Sequence, residues 1–228
     1  MKILITSGGT TEKIDSVRGI TNHSTGNLGK LIAETFLAQG HEVTLVTTKQ
    51  AVKPASQPNL NLHEISNVES LLTTMEGLVK THDVLIHSMA VSDYTPVYMT
   101  DIDELEKTEQ ISDLLSKSNS ENKISSQADY QVLFLKKTPK IISLVKEWNP
   151  AIRLIGFKLL VDVPKEELFR VARASLQKNQ ADYILANDLT EISPTQHHAY
   201  LLSEDDSFEA FDKEGIAQLI YEKVVTHD

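Results

Sequence analysis

The sequence contains no cysteine. That removes disulfides, thiolate metal sites, iron–sulfur clusters and a thiol nucleophile together, and it suits a reducing compartment. Positive charge is in deficit, with 22 Lys and Arg against 32 Asp and Glu and a formal charge of −10. This balance argues against a general nucleic-acid or anionic-membrane binder, so any phosphate contact must be local. No apolar run approaches the roughly 18 residues of a membrane span. The apolar run after Lys2 is three residues long, too short for a secretory signal, and reads as a buried first strand. A cytoplasmic protein is expected. Among the eight histidines there is no H-E-x-x-H, and the chain has no G-x-S-x-G elbow and no G-x-x-x-x-G-K-S/T loop. His197 and His198 are expected at the surface or in a hairpin, pointing to opposite faces if extended. What survives these absences is chemistry by positioning and electrostatic stabilisation rather than covalent catalysis.

At 228 residues the chain has room for one large α/β domain or two small ones. Residues 2–6, 42–47, 61–65 and 83–89 are short β-rich runs, and helical periodicity appears from Leu28 to Phe36 and over 68–80. The rhythm continues with strands at 131–135, 153–157 and 182–185 and helices at about 140–147, 164–178 and 213–224, with a hairpin from 198–202 and 207–210. Strands alternating with helices imply a parallel sheet covered on both faces. The expected fold is therefore α/β and Rossmann-like, with a C-terminal antiparallel edge, in a single unit over 1–228. Residues 95–129 interrupt it as a long, polar, acidic insertion whose serine-rich end, 116–126, reads as mobile; insertions of this length serve as lids or interface arms.

Ser7, Gly8, Gly9 and Thr10 end the first strand, yet the helix begins only after a connection holding Asp15, Arg18, Asn22 and Ser24. A dinucleotide-binding unit places its glycines directly between strand and helix and a carboxylate at the end of the second strand. Here that strand ends in Thr47, Thr48 and Lys49, and no Tyr is followed by Lys four residues later, so a nicotinamide oxidoreductase is disfavoured. Ser24, Thr25 and Gly26, with Gly29, instead sit where a helix starts, as an anion cradle would; the alternative is that Gly26 and Gly29 let the helix pack closely on the sheet. Four strand ends should meet in one crevice: 7–10, 88–93, 156–158 and 187–188. Asp93 and Asp188 offer oxygen ligands for a hard divalent cation there, though Asn187-Asp188 is also ordinary turn chemistry.

Taken in order, Gly8-Gly9-Thr10, Asp15 to Arg18, Ile20 to Gly26, Ala90 to Tyr94, Lys123-Ile124, Gly156-Phe157-Lys158 and Ala186-Asn187-Asp188 resemble phosphopantothenate–cysteine ligase. The resemblance runs over nearly the whole chain. It implies a two-step reaction. The carboxylate of 4'-phosphopantothenate attacks CTP to give an acyl-cytidylate and pyrophosphate, and the amine of L-cysteine then displaces CMP to form an amide, on the way to coenzyme A. By that resemblance Gly8, Gly9, Thr10, Ser24, Thr25 and Gly26 hold the triphosphate, and Phe157, Lys158, Asn187 and Asp188 frame the nucleotide. Asp93 stands near Mg2+, while Asn22, with Arg18 and Ala90, contacts the pantothenoyl and acyl portion. Lys123 matches the first lysine of a mobile K-x-K-K segment that closes over the anhydride. A lysine stands in fused bacterial members where Asn27 stands here, and two more where Ser125 and Ser126 stand, which leaves ATP as the other nucleotide. The resemblance is to the stand-alone bacterial form, with a separate decarboxylase protein, a homodimer, and no nucleic-acid or membrane partner. A silent nucleotide-binding protein is the non-catalytic alternative.

Overall fold

The computed structural model describes residues 1–119 and 123–226. β1 (Lys2–Ser7) runs through the centre, and its alternate side chains enter different cores: Ile3 and Ile5 one, Leu4 the other. β2 (Thr11–Lys13) and β3 (Gly19–Thr21) pair as a small antiparallel hairpin, which accounts for the long connection before the first helix. There follow α1 (Asn27–Ala38), β4 (Glu42–Thr48), β5 (Leu60–Ile65), α2 (Val68–Val79) and β6 (Val84–His87). β7 (Tyr94–Asp101), α3 (Ile102–Lys107) and β8 (Gln131–Lys137) leave the main body. The chain then returns through α4 (Ile141–Trp148), β9 (Arg153–Leu160), α5 (Lys165–Asn179), β10 (Tyr183–Asp188), β11 (Ala199–Leu202), β12 (Ser207–Ala210) and α6 (Lys213–Val225).

Eight strands form one sheet in the order β12-β11-β10-β9-β6-β1-β4-β5. Pairing is parallel from β5 to β10 and antiparallel for β11 and β12. Counted along the chain, the six parallel strands lie 3-2-1-4-5-6, so the winding reverses between β1 and β6 and opens a crevice at their carboxyl ends. α1 and α6 cover one face, where Ile32, Phe36, Ile216 and Ile220 pack on Ile5 and Leu45. α2, α4 and α5 cover the other, with Leu71, Met75, Val145 and Leu176 on Leu4, Leu85 and Ile184. Each such side chain, fully buried, stabilises the fold by about 1.5–3 kcal/mol. α2 begins in a capping box between Asn67 and Ser70, and Glu12 Oε1 accepts from Val68 N at 2.8 Å, which fastens the β2–β3 hairpin to the helix.

The insertion differs from its sequence reading. Its first residues are not loop: β7 pairs with β8, and β8 is thereby excluded from the main sheet it was expected to join. The register shifts between Pro96 and Tyr98, where a proline can be accommodated because no ladder N–H is required of it. The acidic run closes into α3, capped by Asp101 accepting from Glu104 N at 2.8 Å. Of the 116–126 stretch, residues 120–122 lie outside the described residues. Among the described residues no helix is long and apolar enough to cross a membrane.

Candidate functional site

At the carboxyl ends of β1, β6, β9 and β10 lies a crevice of about 500 Å³. Its α1 end is built by Gly8 and by Ser24, Thr25 and Gly26. Gly26 is the N-cap of α1 at φ 80°, a left-handed conformation that disfavours a side chain, and no side chain caps the helix. Asn27 N donates to Thr25 Oγ1 at 3.4 Å, and the positive end of the helix dipole lies at the crevice. Gly29 answers the packing alternative as well, because a Cβ there would collide with the Ser7 side chain. The two glycines therefore do different work: one shapes the cradle and the other seats the helix.

The middle of the crevice is lined by Ala90 and Asp93 and by Phe157 and Lys158; its far end is lined by Asn187, Leu189 and His197. Of the residues singled out in the sequence, Gly9, Thr10, Arg18, Asn22, Lys123 and Asp188 are not in the lining. Gly9 bridges Ala90 in parallel, and Thr10 is fully buried, with Oγ1 donating to Ser92 Oγ at 3.0 Å and accepting from Ser92 N at 2.9 Å. These contacts tie the end of β1 to the loop after β6. Asn22 stands beside them, its Nδ2 donating to Ser92 Oγ at 3.1 Å and to Ala90 O at 3.4 Å.

Asp188 is spent on the backbone. It accepts from Asp162 N, Val163 N, Thr190 N and Thr190 Oγ1 at 2.6–3.0 Å, and those bonds hold its carboxyl well below the usual range. It organises the loops after β9 and β10 and does not line the crevice. Asp93 is exposed and paired with Lys140 Nζ at 2.9 Å. Arg18 is held by Asp15 at 2.6 Å and donates to Ile124 O at 3.0 Å, while Asp15 Oδ2 accepts from Ile124 N at 3.2 Å. The β2–β3 turn thus grips the insertion at the residue after Lys123, whose own side chain is exposed. The Arg18 guanidinium and the surrounding N–H groups hold the Asp15 carboxyl far below its ordinary value.

Sequence reading missed several lining residues. Lys140 and Lys213 join Lys158, so the crevice carries three lysines against the single carboxylate of Asp93 in a chain of net charge −10. The site is a local cationic basin. His87 is buried against Thr6 Oγ1 at 2.8 Å, and burial, with the Lys140 charge, pushes its pKa down to about 4. His197 is a correction to the surface reading: it is buried, and desolvation together with Lys213 pushes its pKa to about 4 as well. His198 does turn the opposite way, to Glu191 and Glu209. The alternation of two adjacent histidines was the available signal, since an extended pair beside a strand must send one inward.

Comparison with known proteins agrees with this architecture. A family model described as the DNA/pantothenate metabolism flavoprotein C-terminal domain matches residues 1–111 and 100–227. The coenzyme A biosynthesis bifunctional protein CoaBC of Thermococcus kodakarensis is 34% identical over 206 residues, which cover 90% of this chain and 45% of that protein. The chain thus spans about half the length of the curated relatives it matches. The crystal structure of the DNA/pantothenate metabolism flavoprotein from Streptococcus pneumoniae superposes with a TM-score of 0.96 at 59% identity, covering 100% of both chains. That of the C-terminal domain of a CoaBC protein superposes with a TM-score of 0.73 at 25% identity, covering 98% of this chain and 93% of the other. The chain belongs to the family of DNA/pantothenate metabolism flavoprotein C-terminal domains.

Proposed function

We propose that the chain is a phosphopantothenate–cysteine ligase whose crevice holds a nucleoside triphosphate and the acid it activates. The observation that carries this reading is one continuous cleft with an uncapped helix N-terminus at one end, three lysines along it and Asn22 beside its β1–β6 edge. A carboxylate oxygen of 4'-phosphopantothenate attacks the α-phosphorus of CTP, and the bond to pyrophosphate breaks. The cysteine amine then attacks the acyl carbon, loses a proton and expels CMP, leaving the amide. Negative charge gathers first on phosphate oxygens and then on the acyl oxygen. The α1 N–H groups, with Ser24 and Thr25, face the former, and Lys140, Lys158 and Lys213 supply positive charge along the cleft. Asn22, oriented by Ser92 and Ala90, holds the pantothenoyl and acyl portion.

Magnesium, when bound, supplies charge neutralisation on the triphosphate. No cluster of three potential ligands occurs among the described residues, so the donor set fits an ion carried by phosphate and water, with Asp93 as its protein carboxylate after release from Lys140. Lys123 acts as a closing lysine on the 95–129 arm, next to the Asp15–Arg18 grip on Ile124. The same arm exposes Ile111 and Leu115, and the stretch that follows it exposes Tyr130 and Leu135, which suits a homodimer contact.

The test is incubation with 4'-phosphopantothenate, magnesium and CTP or ATP, with and without cysteine, reading pyrophosphate and the mass of the amide. Pyrophosphate is expected before cysteine is added; no product with either nucleotide overturns the reading, and product with ATP alone overturns only the CTP assignment. Asn22→Asp should reduce turnover at least about 100-fold by setting a carboxylate against the acyl oxygen, with triphosphate affinity nearly unchanged. Lys123→Gln should fold normally and lose turnover.

A further inference from the structure

Where the winding of the sheet reverses, Thr6 on β1 and His87 on β6 stand opposite each other in register. Thr6 is wholly buried and His87 is 8% exposed. Thr6 Oγ1 lies 2.8 Å from His87 Nδ1 and accepts from Met89 N at 3.2 Å. A threonine hydroxyl carries one hydrogen and two lone pairs. Among the described residues Nδ1 is the one acceptor within reach of that hydrogen, and a buried hydroxyl that donates to nothing is costly. The hydroxyl therefore donates to Nδ1. Nδ1 must then be bare, which puts the ring's own proton on Nε2.

The Nε2 end opens on the crevice. Among the described residues it has no protein partner, yet it is not one of the unpartnered side-chain atoms sealed from solvent, which are Thr47 Oγ1, Arg173 Nε, Asn179 Oδ1 and His197 Nδ1. The ring lines the crevice and is otherwise buried, so the crevice is where Nε2 meets solvent. Burial and the Lys140 charge hold the pKa at about 4, which leaves the ring neutral near pH 7. His87 thus offers the crevice an N–H and no acceptor. Lys140, Lys158 and Lys213 line the same space and select an anion, and a neutral donor gives that anion a directed hydrogen bond without adding to the repulsion among the lysines. Resting on the reading of this crevice as a triphosphate site, we propose that His87 is a neutral donor that gives its Nε2–H to a phosphate oxygen of the bound triphosphate. Thr6 is a positioning residue: its hydroxyl fixes which ring nitrogen carries the proton. In this tautomer the ring has no lone pair to turn toward the crevice, so His87 stabilises charge there and takes no proton from the attacking amine.

Nitrogen-15 spectra of the imidazole, assigned by the signals that His87→Gln removes, read the tautomer in the native protein at pH 7: Nε2 should be protonated and Nδ1 bare. Inorganic tripolyphosphate, which carries the phosphates with neither sugar nor base, should move the Nε2–H resonance, and so should CTP, each added as its magnesium complex. His87→Leu should weaken calorimetric binding of both by about 10- to 100-fold, the factor a hydrogen bond to a charged group supplies. His87→Gln, whose side chain still ends in an N–H donor, should bind both within about threefold of the native protein. Thr6→Val should admit the Nδ1–H form to the spectrum, and Thr6→Ser should restore the single tautomer. If His87→Leu fails to fold, the native spectrum and its response to tripolyphosphate still decide the matter. Nδ1–H in the native protein, an Nε2–H resonance unmoved while both ligands bind, or undiminished binding by a folded His87→Leu protein overturns the proposal, and a response to 4'-phosphopantothenate alone overturns its assignment to the triphosphate. Failure of the native protein to bind either tripolyphosphate or CTP overturns the reading of the crevice as a triphosphate site, and the proposal with it.

Discussion

In the crevice wall, polar side chains are consumed in fixing backbone: Thr10 locks Ser92, Ser88 donates to Thr6 O, and Asp188 gathers four donors from two loops. In the β7–β8 ribbon they are spent on one another. Glu104 accepts from Tyr98 and Thr100 and pairs with Lys117 at 2.6 Å, and this network stays about 40% exposed at its charged ends. The wall stands on strands whose opposite ends are buried between helices, so its geometry is as stable as the fold. The ribbon has its own pairing but little core beneath it, so it can open without the rest of the molecule. A rigid wall suits groups that must be preorganised for charge development; a separable arm suits closure, or contact with a second copy.

The sharpest way to break this comparison is at Asp188. Asp188→Ala leaves two N–H groups of the loop after β9 and one after β10 without their acceptor. Asp188 is buried but its donors are partly exposed. Hydrogen bonds to a charged group contribute about 1.5–3 kcal/mol each and water recovers part of that, so a loss of about 3–5 kcal/mol in urea unfolding is expected, and Asp188→Asn should recover part of it. An unchanged midpoint would mean that the wall does not depend on this carboxylate.

The next effect is set by pH. His87 titrates near 4 in the folded protein against 6.5 ordinarily, so between those values the unfolded chain holds more protons and stability rises with pH. The contribution is complete above about 6.5 and disappears as the pH falls toward 4; by linkage it amounts to about 3 kcal/mol. His197, also held near 4, adds a second contribution over the same range, so urea midpoints at pH 7.5, 5.5 and 4.5 should fall steeply in the native protein and about half as far in His87→Gln. The ribbon carboxylate behaves differently: hydrogen bonds from Lys117, Thr100 and Tyr98 hold Glu104 at about 2, so its contribution is lost only in stronger acid. A native protein with a flat profile from 7.5 to 4.5 would remove the distinction between a dry wall and a wet ribbon.

The main sheet was legible because two-sided burial marks the chain: β1 and β10 carry continuous apolar runs, β4 is rich in Val, Leu and Thr, and α1 repeats its apolar residues at helical spacing. β8 misled the same reading. Its apolar residues Val132 to Leu135 mark a strand, but nothing local says that β7 rather than the central sheet is its partner. At the site, glycines and small polar residues at strand ends were legible because the topology gathers them there. Whether a particular hydroxyl or carboxylate faces a ligand was not, because Thr10 and Asp188 are the same residues in sequence whether free or spent on neighbours. Lys140, Lys213, His87 and His197 each come from a different element, and only the closed fold brings them to one cleft.

The smallest effect on global stability, and the one that sharpens the comparison most, is expected at Glu104. Glu104→Gln keeps the shape and one acceptor while removing the charge that draws Lys117, Tyr98 and Thr100 together. Lys117 also stands 5.9 Å from the centre of the Tyr98 ring, so losing the ion pair loosens the aromatic packing of Tyr98 on Phe134 at the root of the ribbon. Exposed ion pairs contribute about 0–1 kcal/mol, and the urea midpoint should move by no more than that. Limited proteolysis should respond more strongly, because cleavage within the 102–119 segment reads local opening rather than global unfolding. Faster cleavage there with an unchanged midpoint would establish the arm as a separate cooperative unit. A midpoint that falls by several kcal/mol together with the cleavage rate would mean that the ribbon and the wall unfold as one body, and the arm would then be too firmly joined to the sheet to close over the crevice by itself.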